Sequence, residues 1–186
     1  MELLLLNNEE KERYREELLA MLQGADGDFV PPLSKRFSPK QTAFGAERTG
    51  ASSDGVRAYF EDMYKEQMLA AVEDGHLLGF VTFMRDLDHP CFGGDAKPNL
   101  YICTLLVKPE ARGRRLTQTM YRYLFSELFA DCKLFTRTWS TNAAHIAILQ
   151  KFGFREIHRI PNDRGNGIDT VYFGRAAARA LALPDA

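Results

Sequence analysis

Residues 105–117, with the sequence LLVKPEARGRRLT, contain the pattern that decides the fold. Their first part closes the nearly continuous apolar run Leu100–Val107, which is typical of a central strand buried on both faces of a sheet. The basic turn Arg112–Arg115 follows, and apolar residues then recur at helical spacing over Leu116–Phe129. The segment therefore predicts a buried strand, a glycine-containing basic turn and a helix, in that order.

This arrangement predicts a binding site for a phosphate group. The first turn of a helix has unpaired N–H groups at the positive end of the helix dipole. Arginine side chains add charge-assisted hydrogen bonds to phosphate oxygens, and Gly113 allows the backbone to tighten around an anion. The segment ends in neither the lysine of a P-loop nor the later glycines of a dinucleotide fingerprint, so both of those sites are excluded.

The rest of the chain shows alternating strand and helix patterns. Before this segment they predict a strand at Glu2–Leu6, a helix at Glu9–Gln23, a helix capped by Asp54, and strands at Gln67–Val72 and Leu77–Met84. After it they predict a strand at Leu134–Trp139, a helix from Asn142 to Phe152, and strands at Phe154–Ile160 and Thr170–Phe173. The order β-α-α-β-β-β-α-β-α-β-β predicts an α/β fold in which helices flank a mixed sheet.

Length and composition indicate one domain, residues 1–186, in a cytoplasmic protein. The formal net charge of −1 gives no overall field for nucleic acid or an anionic membrane, and no apolar run is long enough to span a bilayer. The three cysteines are odd in number and widely spaced, so we expect neither a disulfide framework nor a metal site.

Two segments lack a clear periodic pattern. Residues 25–54 are punctuated by glycine, proline and serine, and we interpret them as a long loop on the substrate side, with an ordinary surface wrap as the alternative. Residues 175–186 are rich in alanine and form a C-terminal tail, either a short helix or a frayed end.

The sequence resembles the GNAT superfamily of acetyl-CoA-dependent N-acetyltransferases in three respects. Residues 105–117 are similar to that family's strand and pyrophosphate loop, whose core is Arg/Gln-x-x-Gly-x-Gly/Ala. Residues 142–154, NAAHIAILQKFGF, are similar to its second cofactor segment, Asn-x-x-Ala-x-x-Leu-Tyr-x-x-x-Gly-Phe. The predicted order of elements matches the family topology from end to end.

The resemblance implies acetyl-CoA as co-substrate and a set of residues that contact it. Leu106 and Val107 would offer main-chain hydrogen bonds to pantetheine, at a strand edge splayed from Leu134–Trp139. Asn142 would bind the cofactor arm through its side-chain amide. The backbone N–H groups that would face the CoA pyrophosphate belong to Arg112, Gly113, Arg114, Arg115, Leu116 and Thr117.

Four departures from the family pattern bear on cofactor binding or on proton transfer. Arg115 and Thr117 stand at the two later glycine positions of the first motif, and His145 stands at the alanine of the second. Leu149 stands where the family often has a tyrosine that protonates the leaving thiolate. Leucine cannot donate a proton, so that role is vacant or has moved.

His145 is one candidate for proton transfer. It lies three residues after Asn142 and therefore shares a helical face with it. An imidazole with an ordinary pKa near 6.5 serves as either donor or acceptor. The alternative is an ordinary helix histidine without a catalytic role.

Tyr101 and Asp169 are the other catalytic candidates. Tyr101 lies near the place where the family often has a carboxylate base, and its phenol would relay a proton through water; a packed strand tyrosine is the alternative. Asp169, like Asp163, flanks the glycine-rich link between the last two strands, a region that borders the acceptor amine in the family. Its carboxylate would bind the ammonium or act as a base through water, and an ordinary turn aspartate is the alternative.

These features together predict an N-acetyltransferase that moves an acetyl group from acetyl-CoA to a primary amine of a small molecule or peptide, by direct attack in a ternary complex. A non-catalytic acyl-CoA-binding or regulatory module on the same fold is one alternative. A nucleic-acid-binding domain that uses Arg112–Arg115 is another. We expect a monomer or homodimer, with no nucleic acid and no membrane as partner.

Overall fold

The computed structural model describes residues 1–36, 38–41, 55–93 and 96–177. Its strands are β1 (Glu2–Leu5), β2 (Gln67–Glu73), β3 (His76–Arg85), β4 (Asn99–Val107), β5 (Lys133–Trp139), β6 (Arg155–Ile160) and β7 (Thr170–Arg175). Its α-helices are α1 (Asn8–Arg13), α2 (Arg15–Gly24), α3 (Gly55–Met63), α4 (Leu116–Arg122) and α5 (Ala143–Lys151). The predicted order of strands and helices is confirmed, with the first predicted helix divided in two.

The strands form one sheet in the order β1-β2-β3-β4-β5-β7-β6. Neighbouring strands are antiparallel except β4 and β5, which run parallel and are connected through α4. The predicted mixed sheet flanked by helices is therefore confirmed.

Both faces of the sheet are covered. On β2, Met68, Ala70 and Val72 belong to a core that includes residues of α2 and α3. Leu69 and Ala71, which point to the opposite face, belong to a second core that includes residues of α4 and α5. This two-sided burial explains why the central strands read as nearly continuous apolar runs.

Two predicted helices differ from the structure in detail. The first begins one residue earlier than expected, because Asn7 and Glu10 form a reciprocal capping box with bonds of 2.8 and 2.9 Å, and it is interrupted at Tyr14. The helix predicted over Leu116–Phe129 is α-helical only to Arg122 and continues as a π-helix over Tyr123–Leu128. That wider turn keeps Leu124 and Phe125 buried while Phe129 packs edge-on against Phe83.

Parts of the two segments without periodic pattern lie outside the described residues, namely residue 37 and residues 42–54 of the predicted loop and residues 178–186 of the tail. The described part of the loop contains 3₁₀ turns at Asp26–Asp28 and Leu33–Lys35. Across the described ranges, none of the helices combines the length and the apolar character that crossing a bilayer requires.

The separation of β4 from β5 positions the site described below. The two strands pair only from Asn99 with Lys133 to Ile102 with Thr136, where the Thr136 hydroxyl donates to the Ile102 carbonyl over 3.1 Å. The register of β4 with β3 skips Cys103, which marks a β-bulge at the same point. Beyond the bulge β4 stays paired with β3 and β5 with β7, so an opening forms between β4 and β5.

Candidate active site

A cavity of about 440 Å³ occupies the opening between β4 and β5. Its walls come from β4 beyond Ile102, from β5 over residues 136–139, and from the facing sides of α4 and α5. This volume lies in the usual range for a small-molecule site, roughly 300–1,000 Å³.

The wall contributed by β4 beyond Ile102 is a strand edge that pairs with no other strand among the described residues. In a paired strand, alternate residues direct their N–H and C=O groups to opposite edges. Lys108 donates its N–H to Leu78 of β3 at 2.9 Å, so by this alternation the main-chain groups of Val107 face the cavity and those of Leu106 face β3. The open edge therefore suits the main-chain contact predicted for Val107 and not the one predicted for Leu106. An extended molecule can add to such an edge as an extra strand would.

The basic turn holds its shape through two positive φ angles and two ion pairs. Gly113 has φ +81° and Arg115 has φ +60°, both in the left-handed region. Arg112 is bonded to Asp28 at 2.6 Å, and Arg114 makes a bidentate pair with Glu73 at 2.6 and 3.0 Å. These pairs are exposed and screened by solvent, so they contribute little to stability. The two carboxylates reduce the net charge of the turn, which does not favour the nucleic-acid alternative.

The turn presents its backbone to an incoming anion. The N–H groups in the first turn of α4 lack intrahelical acceptors, as at any helix start. Thr117 and Arg112 both line the cavity, so the predicted pyrophosphate segment lies at its boundary. Gly113, Arg114, Arg115 and Leu116 connect these two residues.

Asn142 lines the cavity and also caps α5. Its side-chain oxygen accepts from the His145 N–H at 3.3 Å, and its amide nitrogen donates to the Thr138 hydroxyl at 3.1 Å. The amide is therefore held in a fixed orientation between α5 and β5.

His145 forms a hydrogen bond with Tyr121 across the space between α5 and α4. The Tyr121 hydroxyl oxygen lies 2.7 Å from His145 Nε2, and both residues line the cavity. Burial lowers the pKa of His145 to about 4 and raises the pKa of Tyr121 above its ordinary value. Both groups are consequently uncharged near pH 7, and the pair offers the cavity a neutral donor and a neutral acceptor.

Leu149, at the position of the family tyrosine, is fully buried in the core beneath α5. Tyr121, from a different helix, also lines the cavity, and its hydroxyl contacts His145. In the sequence it is one of the apolar residues at helical spacing over Leu116–Phe129, and that pattern did not mark it as a functional residue. A signal was available, since Tyr121 follows Thr117 by four residues and therefore shares its helical face.

Tyr101 and Asp169 lie outside the walls of the cavity. Tyr101 is 2% exposed in an aromatic cluster, with its ring centroid 5.6 Å from that of Phe92, and burial raises its pKa. Asp169 accepts from the Asn162 backbone N–H at 3.0 Å and from Arg159 at 2.7 Å. The Asn162 bond and the Arg159 bond lower the pKa of Asp169. The structure thus brings His145 together with Asn142, and leaves the other two candidates in a core cluster and a surface turn.

Three arginines that the sequence analysis did not select also line the cavity: Arg36, Arg137 and Arg164. Arg137 lies two residues before Trp139 on β5, so the two share a face of the strand. For this arginine the sequence therefore contained a pattern that could have placed it at the cavity. Arg36 and Arg164 lie in irregular segments, where spacing carries no such information.

Comparisons with known proteins add evidence on family and fold. The sequence model described as "Acetyltransferase (GNAT) family" matches residues 38–154. No curated protein matches the chain significantly.

Several solved structures are similar to this chain. An N-acetyltransferase from Staphylococcus aureus Mu50 has 17% identity and a TM-score of 0.60, over 95% of this chain and 98% of that one. A putative acetyltransferase from Salmonella typhimurium, solved with its cofactor acetyl-CoA, has 17% identity and a TM-score of 0.61, over 100% and 98%. An aminoglycoside 6'-N-acetyltransferase complexed with coenzyme A has 13% identity and a TM-score of 0.61, over 100% of both chains. At these identities the likeness shows the fold.

Proposed function

The chain belongs to the GNAT family of acetyltransferases, and we propose that it transfers an acetyl group from acetyl-CoA to a primary amine of a small molecule or peptide, by direct attack in a ternary complex. The observation that carries this proposal is the separation of β4 from β5 beyond Ile102, which opens a cavity against a free strand edge. The similar structures solved with acetyl-CoA and with coenzyme A support the choice of acyl donor.

The residues around the cavity fit acetyl-CoA in chemical character. The main chain of Val107, at the open edge of β4, suits the amide groups of pantetheine, and the backbone from Gly113 to Thr117 suits a diphosphate. When bound, acetyl-CoA supplies a thioester, which is an acetyl group activated toward attack by a neutral amine. Holding two reactants in line contributes up to ~7–11 kcal/mol to such a reaction, so one side chain need not dominate.

Tyr121 and His145 are the groups we assign to the leaving sulfur. If His145 Nε2–H donates to the Tyr121 oxygen, the phenolic proton is directed into the cavity. Because burial raises the pKa of Tyr121, the phenol keeps its proton. Its role is then to donate a hydrogen bond to the negative charge that develops on sulfur.

A thermal-shift titration of the full chain tests the cavity assignment. CoA or acetyl-CoA at a hundredfold excess over Kd should raise Tm by roughly 5–10 °C. Thr117→Trp places a bulky ring on the cavity wall and should remove that rise. Arg122→Trp, on the exposed side of the same helix, should keep it. An unmodified chain whose Tm ignores both compounds, or a Thr117→Trp chain with the full rise, contradicts the proposal.

Release of free thiol from acetyl-CoA, measured across a panel of amines, separates an enzyme from a non-catalytic binding module. The vacant tyrosine position at Leu149 is the observation that favours the module. Amine-dependent release that tracks formation of an N-acetyl product supports the enzyme. A chain that binds acetyl-CoA and releases no thiol with any amine supports the module instead.

A further inference from the structure

Three arginine side chains converge on the cavity from separate parts of the chain. Arg36 follows the 3₁₀ turn Leu33–Lys35, Arg137 is on β5, and Arg164 lies between β6 and β7. Arg36 and Arg164 are each only 7% exposed. Each of the three arginines has hydrogen-bond partners within the chain, and together they bring three guanidinium groups to one part of the cavity wall.

The arrangement of these guanidinium groups is fixed by shared contacts. The carbonyl oxygen of Val30 accepts from Arg36 Nη2 at 3.0 Å and from Arg164 Nη1 at 2.6 Å, which places the two arginines side by side. Arg137 donates to the Pro39 carbonyl at 2.9 Å and to the Tyr172 hydroxyl at 3.3 Å. The three groups are therefore held in place by neighbouring backbone and hydroxyl oxygens before any ligand binds.

Aromatic rings orient two of the guanidinium planes. Arg36 lies over the ring of Phe29 at 5.2 Å, and Arg164 lies over the ring of Trp139 at 5.8 Å. Phe29 and Trp139 also line the cavity and contact each other, with ring centroids 6.1 Å apart.

Three guanidinium groups lie close together at this end of the cavity. Burial, with a smaller contribution from the neighbouring guanidinium groups, lowers the pKa of Arg36 to about 10 and that of Arg164 to about 9. Asp26 and Asp163 raise these pKa values and offset part of the charge. Asp28, a carboxylate on the cavity wall, is already paired with Arg112.

We propose that the acceptor amine carries a carboxylate group and that Arg36, Arg137 and Arg164 bind it. This inference rests on the proposed function, because it assigns the acceptor end of the same cavity. The planar fork of a guanidinium matches a carboxylate in two parallel hydrogen bonds, and three such groups offset the cost of desolvating the anion.

The same positive field prepares the amine for attack. A like charge disfavours the ammonium form, so the arginines lower the pKa of the bound amine, and its proton passes to solvent water. The neutral nitrogen then attacks the thioester carbon: the C–N bond forms, the C–S bond breaks, and the electron pair leaves on sulfur. The proton that the attacking nitrogen loses as it becomes an amide passes through water to the CoA thiolate. This accounts for a cavity wall that includes neither Tyr101 nor Asp169.

The test is the specificity of acetyl transfer by the full chain at saturating acetyl-CoA. The acceptors are the α-amino acids and their carboxamides. A further acceptor, 2-aminoethyl phosphate, tests whether the arginines prefer a phosphate to a carboxylate. We expect kcat/KM for at least one amino acid to exceed that for its carboxamide by about tenfold or more. Arg137→Lys keeps the charge and loses the fork, so it should reduce this preference about tenfold. Arg155→Lys, on the exposed strand β6, should leave it unchanged.

The CoA-dependent rise in Tm, measured on each variant, confirms that the fold and the donor site are intact. Transfer that proceeds equally with acids and carboxamides, or a preference that survives Arg137→Lys, overturns this inference and leaves the proposed function standing. Faster transfer to 2-aminoethyl phosphate than to every carboxylate overturns the choice of carboxylate. Absence of transfer to any amine removes the proposed function and this inference with it.

Discussion

The Tyr121 hydroxyl oxygen and His145 Nε2 lie 2.7 Å apart, and each residue comes from a different helix bordering the same cavity. The contact ties α4 to α5 at the level of the β4–β5 opening. It also combines two groups whose pKa values burial moves in opposite directions, so neither carries charge near pH 7.

Removal of the Tyr121 hydroxyl should lower turnover more than binding. Tyr121→Phe deletes only the donor, so we expect kcat to fall about 10²-fold, by analogy with the loss of one hydrogen-bond donor to a developing charge. Tyr123→Phe, on the same helical segment, is the control and should be near neutral. Steady-state kinetics of both variants test whether the Tyr121 hydroxyl takes part in the reaction. Equal kcat values for the two variants would exclude Tyr121 from it.

Protonation of His145 should lower the free energy of unfolding at acidic pH. Its pKa is near 4 in the folded chain and ordinarily 6.5, so the unfolded chain binds the proton first as pH falls. Stability contributed by the neutral imidazole is therefore complete above pH 6.5 and declines between pH 6.5 and 4. His145→Gln should flatten that decline in chemical denaturation series. A decline of unchanged size would show that other groups produce it.

Glu66 should destabilise the fold when it ionises. It is 4% exposed, and burial raises its pKa to about 7, a shift that contacts with Thr82 and Cys103 oppose only in part. Since its unfolded pKa is near 4.5, the folded chain holds the proton longer, and stability falls as pH rises from 4.5 to 7. The free energy of unfolding of Glu66→Gln should therefore exceed that of the unmodified chain at pH 8, by on the order of 1–3 kcal/mol. Near pH 4 the two values should be equal.

Glu73 provides the matched control for Glu66. Hydrogen bonds from Arg114 lower the pKa of the Glu73 carboxyl, which is the opposite shift. Its ionised form favours the folded state above pH 4.5, so Glu73→Gln should lose stability at neutral pH or leave it unchanged. A gain in stability from Glu73→Gln would show that the effect of Glu66→Gln is not specific to burial.

The left-handed backbone of Arg115 gives a test of the family motif. Its φ of +60° lies where a Cβ costs roughly 1–2 kcal/mol, which is the physical reason for glycine at this position in the family pattern. Arg115→Gly and Arg115→Ala both delete the side chain, and we expect the glycine variant to be more stable by about 1 kcal/mol. CoA affinities in both variants equal to that of the unmodified chain would indicate that only the backbone at this position contacts the ligand.

Asn142 allows capping to be separated from ligand binding. Asn142→Ala removes the acceptor for the His145 N–H and should cost about 1 kcal/mol of stability. Asn142→Asp keeps that acceptor and loses the amide donor, so stability should be nearly preserved. CoA affinity measured on the aspartate variant then reports on the donor, and an unchanged affinity would remove Asn142 from the binding site.

Local signals in the sequence account for much of the fold. The apolar run of β4, the strand patterns of β2 and β3 and the helix start at Asn142 each depend on neighbours close in the chain, and each predicted element is present. The placement of Tyr121 beside His145 depends on how α4 packs against α5. The convergence of the arginines on Val30 depends on three distant segments, and no periodicity links them.

The opening between β4 and β5 divides the sheet into two parts. One contains β1 to β4, the other contains β5, β7 and β6, and the register joins them through four residue pairs at one end. A molecule bound in the opening would contact both parts of the sheet and so couple them. Binding should therefore slow amide hydrogen exchange along both β4 and β5, including at positions across the opening from the residues that the ligand contacts.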